Sequence, residues 1–94
     1  MPRTIKKYAN RRLYDTEASR HVTLDGIRQL VASGEDVVVV DDTTGQDITR
    51  NILLQVISEQ EQGGRPILSA DMLKHIIRFY GNPLQELMGG YLER

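Results

Sequence analysis

Valines 37–40 form an unbroken β-branched run between two stretches whose apolar residues recur at helical spacing, and that order limits the fold more than any other feature. β-branched side chains fit a pleated, half-buried surface and crowd a helix, so the run predicts a strand at the centre of a sheet. Before it, Thr23 is an N-cap, Asp25 favours the positive end of a helix dipole, and Val22 and Ile27 have staple spacing. Leu24, Ile27, Leu30 and Val31 then form one stripe that ends at Gly34. After it, the turn-prone residues 41–47 lead to Thr49, expected to cap a helix over 50–61 whose apolar face is Ile52, Leu53, Val56 and Ile57.

The N-terminus has the other period. Ile5 and Lys7 alternate with Thr4, Lys6 and Tyr8, which predicts a strand. Ala9-Asn10 offers a two-residue turn, Arg11 to Tyr14 an antiparallel return, and Arg20-His21-Val22 a third short strand. The expected class is therefore α+β: a small antiparallel sheet with a basic N-terminal β-hairpin and two packed helices.

The glycine pair and proline of Gly63-Gly64-Arg65-Pro66 resist helix and sheet and set a domain boundary. The division expected is an α+β domain over residues 1–62, a linker over 63–68 and a helical segment over 69–94. In that last segment Ser69 caps a helix carrying Met72, Leu73, Ile76, Ile77 and Tyr80 on one side, ended by Gly81-Asn82-Pro83. Leu84, Leu87, Met88, Tyr91 and Leu92 follow as a second stripe. Two amphipathic helices after a linker cannot bury both faces by themselves and need either the first domain or another subunit. The linker makes docking on the first domain optional, which points to another subunit and so to oligomerisation.

The net charge of −1 hides an asymmetry. Six cations stand against Asp15 and Glu17 in the first 20 residues, a local +4, whereas the remainder sums to −5. Lys6, Lys7, Arg11 and Arg12 surround Asn10, with Tyr8 and Tyr14 flanking, a combination poorly suited to a core. Such a run is either a solvated face or a surface for a polyanion. A two-stranded ribbon fits the major groove, where Arg11, Arg12 and Asn10 could read bases while Lys6 and Lys7 meet phosphates. Tyr8 and Tyr14 fit contacts to DNA, or simply packing.

No cysteine is present, and no apolar run reaches the length of a membrane span, so a soluble cytoplasmic protein without disulfides is expected. Asp41, Asp42 and Asp47 invite a calcium reading, but the twelfth position from Asp41 is Ile52, where such a loop needs a glutamate. His21 and His75 lack a second ligand at metal spacing, and no serine sits in a nucleophile elbow. Neither enzymatic activity nor a cofactor is expected.

At K-K-Y-A-N-R-R-L-Y-D-T, V-T-L-D-G-I-R-Q-L-V, D-D-T-T-G-Q-D-I-T-R and I-L-L-Q-V-I-S-E-Q-E the chain resembles the bacterial polyhydroxyalkanoate synthesis repressors. The later L-S-A-D-M-L, I-R-F-Y-G and Y-L-E-R look like the start of that family's accumulation region. The resemblance implies a repressor of polyhydroxyalkanoate synthesis and phasin genes that binds a palindromic promoter site as a homo-oligomer, dimer or tetramer. It implies release by polyhydroxybutyrate or hydroxybutyrate oligomers. The family commonly has proline where this chain has Ala9. The alternative is a granule-associated interaction module that binds polymer without reading DNA.

Overall fold

The computed structural model describes residues 2–80. Four strands, β1 (Arg3–Lys7), β2 (Leu13–Asp15), β3 (Arg20–Val22) and β4 (Val37–Asp41), form one sheet in the order β3-β2-β1-β4. Helices α1 (Leu24–Ala32) and α2 (Thr49–Gly63) pack against each other and on one face of the sheet, and α3 (Ala70–Tyr80) follows. Alternation decides the faces: Ile5, Leu13, Val37 and Val39 meet Ile27, Ile52 and Val56 in one core.

The chain is α+β, as its patterning predicts, but the sheet is mixed. β1 and β2 pair antiparallel, whereas β4 lies parallel to β1, with Ile5 opposite Val39. The crossover through α1 carries the chain from β3 to the far edge and returns it in the direction of β3, which, being antiparallel to β2, is also the direction of β1. It also puts the valine run at an edge and not at the centre. That edge is closed by the following loop: Val39 N–H donates to Thr49 Oγ1 at 2.8 Å, Ile48 N–H to Val39 O at 2.8 Å, and Asp41 N–H to Gln46 O at 2.9 Å. Few strand groups on that side remain open to pair with another chain.

Helix ends follow local chemistry. Thr23 caps α1 by accepting the Gly26 N–H at 3.0 Å, and Gly34, at φ +95°, closes its C-terminal turn. Thr49 does not cap α2 but is its first residue. Asp47 Oδ1 accepts both the Thr49 N–H (2.9 Å) and its hydroxyl (2.6 Å), and these bonds hold the Asp47 carboxyl below its usual range. Thr49 is thereby turned toward β4. The helix runs on to Gly63, the first residue of the expected linker. Val31 and Ile57, expected on apolar faces, lie 44% and 52% exposed, because the sheet is narrow and covers only the stripes centred on Ile27 and on Ile52 and Val56.

Gly26 allows the close approach of α1 to β3. A Cβ there would lie 2.5 Å from Val22 Cγ2, and valine's branched side chain has little room to turn away. Gly26→Ala is expected to destabilise the domain by about 1–2 kcal/mol despite alanine's better helix propensity, a loss measurable by chemical denaturation.

Candidate nucleic-acid interface

The β1–β2 connection is a five-residue loop, 8–12, and not a two-residue turn. Arg11 N–H donates to Tyr8 O at 2.9 Å, and Tyr8 N–H to Arg12 O at 3.0 Å. Ala9 therefore stands second in a β-turn, a position that accepts proline well. The left-handed residue is Arg11, at φ +65°, and not Asn10. Asn10 instead holds the loop: its Oδ1 accepts the Arg12 N–H at 3.0 Å. Arg11 and Arg12 thus project from an exposed, internally bonded loop, and β2 begins only at Leu13.

The basic residues sort into two groups. Arg3 belongs to the fold: its Nη2 and Nε donate to Asp15 Oδ2 at 2.8 and 3.0 Å, while Asp15 Oδ1 accepts the Glu17 and Ala18 N–H groups at 3.0 and 3.2 Å. Burial pushes the Asp15 carboxyl up, but the Arg3 hydrogen bonds and the two turn amides outweigh it and leave the group below its usual range. Glu17 and Glu35 stand 3.9 and 3.8 Å from Arg3 Nη1. Lys6 lies 3.6 Å from Asp42. Lys7, Arg11, Arg12 and Arg20 have no carboxylate within 4 Å among the described residues, so their charge is available to a partner.

Pairing register gathers three rings on the face opposite the one that α1 and α2 cover. Lys6 pairs with Tyr14, and Tyr14 with His21. The Tyr14 ring meets His21 edge-on at 5.5 Å between centroids and lies 6.1 Å from Tyr8. Arg11, Arg12 and His21 line one cleft, with Leu13, Val22 and Leu24 behind them. Lys7 and Arg11 line a second, against Ile52 and Gln55 of α2. The fold therefore brings Lys7, Arg11, Arg12 and Tyr14 to one end of the sheet and adds His21. The sequence contained a signal for it: alternation in Arg20-His21-Val22 puts His21 on the face of its register partner, once the partner is known to be Tyr14.

On α3, Ser69 Oγ accepts the Met72 N–H at 3.1 Å, the cap expected there. All its residues are exposed, including Met72, Leu73, Ile76, Ile77 and Tyr80, and it makes no close approach to the other elements. The Glu61 carboxylate shapes the connection by accepting the Ile67 N–H at 2.9 Å and the Leu68 N–H at 3.2 Å. Leu84, Leu87 and Met88, together with the break at Gly81-Asn82-Pro83, lie outside the described residues.

Residues 4–64 match the family model described as the PHB/PHA accumulation regulator DNA-binding domain, and residues 68–94 match the PHB accumulation regulatory domain. An uncharacterized protein of Allochromatium vinosum is 57% identical over 91 residues, which cover 97% of this chain and 60% of that protein. A Thiocystis violacea protein, described as an uncharacterized protein in the phbA 5′ region, is 56% identical over 91 residues, 97% of this chain and 66% of its own. The chain thus spans less than two thirds of the length of these curated relatives. No solved structure matches it. The two domain matches, in the order DNA-binding then regulatory, show that the chain belongs to the family of PHB/PHA accumulation regulators.

Proposed function

We propose that the chain is a transcriptional repressor that acts in the bacterial cytoplasm on promoters of polyhydroxyalkanoate synthesis and phasin genes. The observation that carries this reading is the cluster of Lys7, Arg11 and Arg12, without carboxylate partners among the described residues, at the exposed end of an internally hydrogen-bonded hairpin. Arg11 and Arg12 enter the major groove, and Lys7 meets the phosphate backbone. Tyr8 and Tyr14 support the hairpin, and Lys6 contributes less because Asp42 stands beside it. The test is binding to a palindromic promoter duplex against scrambled DNA over a salt series. Binding that falls with salt but prefers the palindrome supports the reading; equal binding to both sinks it.

Residues 69–94 then act as a separate unit that joins subunits, with 64–68 as the connection. An isolated helix of α3's length is marginal in water, so its apolar face calls for a partner. A palindromic site is met by two hairpins related by a two-fold axis. Light scattering is expected to report dimers or tetramers, and Leu73→Glu with Ile76→Glu to shift them toward monomer. Unchanged assembly in that variant would remove α3 from the interface. Release from DNA follows when polymer or a hydroxybutyrate oligomer engages this segment and alters the assembly.

The same exposed α3 face supports a second reading, a granule-bound module that contacts polymer and reads no DNA. Polymer binding without any promoter preference would favour it.

A further inference from the structure

Major-groove base edges carry acceptors on guanine, adenine and thymine, but also the exocyclic amino donors of adenine and cytosine. Arginine side chains hold donors only. Arg11 and Arg12 can therefore meet the acceptors and leave the amino groups unread. Asn10 would be the usual acceptor, but its Oδ1 is tied into the loop by the Arg12 N–H at 3.0 Å. One of the two Oδ1 lone pairs is thus committed to the turn, and that bond holds the amide in the orientation the loop requires.

His21 supplies what the loop lacks. Its Nδ1 lies 3.2 Å from the Leu13 carbonyl oxygen, which can only accept, so Nδ1 carries the hydrogen of that bond. In the neutral ring this leaves a lone pair on Nε2, on the far side of the imidazole. The Tyr14 ring meets His21 at 81°, and the two contacts together fix the direction of an otherwise exposed side chain. His21 also lines the cleft that Arg11 and Arg12 line. An oriented acceptor thus stands beside two donors.

We propose that His21 is a specificity-determining residue of the DNA interface, its Nε2 accepting a hydrogen bond from the exocyclic amino group of an adenine or cytosine adjacent to the bases met by Arg11 and Arg12. This rests on the DNA-reading role proposed above. Tyr14 is its positioning residue, holding the ring edge-on from the neighbouring strand. The Leu13 carbonyl sets the tautomer.

The experiment starts from the duplex that the chain selects from a random pool, with each position then varied in turn. The unaltered chain is expected to prefer adenine or cytosine at one position per half-site by about 5- to 100-fold. His21→Phe, which keeps a ring against Tyr14, is expected to flatten that position to about twofold and leave the others, and the salt slope, unchanged. Replacing the preferred base by its analogue lacking the amino group should weaken binding by the unaltered chain to the same extent, without adding to the His21→Phe loss. The analogue reads the same contact whether or not the variant folds.

An unaltered preference profile in folded His21→Phe, or no response to the analogue, would assign the ring to packing alone and overturn the proposal. So would a loss uniform over all sequences with a shallower salt slope, which marks a phosphate contact. Absence of any selected sequence for the unaltered chain would overturn the DNA-reading role itself, a result distinct from those.

Discussion

Joint replacement of Lys7, Arg11 and Arg12 by alanine is expected to abolish sequence-preferring DNA binding and leave the fold intact. None of the three side chains belongs to the core, and among the described residues none has a carboxylate partner whose loss would cost stability. Each arginine on a base edge contributes about 1–3 kcal/mol, and each phosphate contact about one unit of salt slope. The single variants should therefore differ in kind: Arg12→Ala relaxes preference at particular positions, whereas Lys7→Ala weakens all sequences alike. Arg11→Gly removes the cation and also relieves the left-handed backbone at φ +65°, so its difference from Arg11→Ala separates loop strain from charge. Lys6→Ala should matter less, because Asp42 already screens that lysine. Fluorescence anisotropy over a salt series measures all of these. Retained affinity and slope in the triple variant, with native circular dichroism, would move the interface off the hairpin.

Asp15→Ala is expected to destabilise the domain by about 2–3 kcal/mol. The carboxylate is 4% exposed and satisfies two turn amides as well as Arg3, so its removal strands three sets of donors at once. The loss falls below the about 3–5 kcal/mol of fully buried pairs, since Arg3 keeps some access to water and stands near Glu17 and Glu35. pH acts through the same group. Because the folded Asp15 carboxyl lies below its usual range, its contribution is complete above the unfolded value, near about 4, and is lost as pH falls through the folded one. Asp25, bound by Arg28 and Gln29, and Asp47, bound by Thr49, are depressed likewise and act in the same direction. Urea unfolding at pH 7 and pH 3 should therefore show a fall in stability that is smaller in Asp15→Asn. An equal fall in both proteins would take Asp15 out of the acid response.

The pairing of Arg3 with Asp15 also changes the reading of the charge map. The first 20 residues carry six cations, but Arg3 is spent on the fold and Lys6 is partly neutralised, so the working surface is smaller than composition suggests. Charge counting sums formal charges, whereas an interface uses only those that folding leaves without partners.

What the sequence determined by itself is what depends on near neighbours. The caps at Thr23 and Ser69, the strand alternation of residues 4–7, and the close of α1 at Gly34 follow from groups within about one helical turn, where residue type nearly decides geometry. The basic hairpin was legible for the same reason. Tertiary structure alone decided the rest. It put the valine run at an edge, because strand order depends on the crossover and not on β propensity. It joined Arg3 to Asp15 across 12 residues and His21 to the Leu13 carbonyl across 8. It also tied Asn10 into the loop and left Ile57 uncovered beside a narrow sheet. Such pairings arise from register, and register is set by the packing of the whole core.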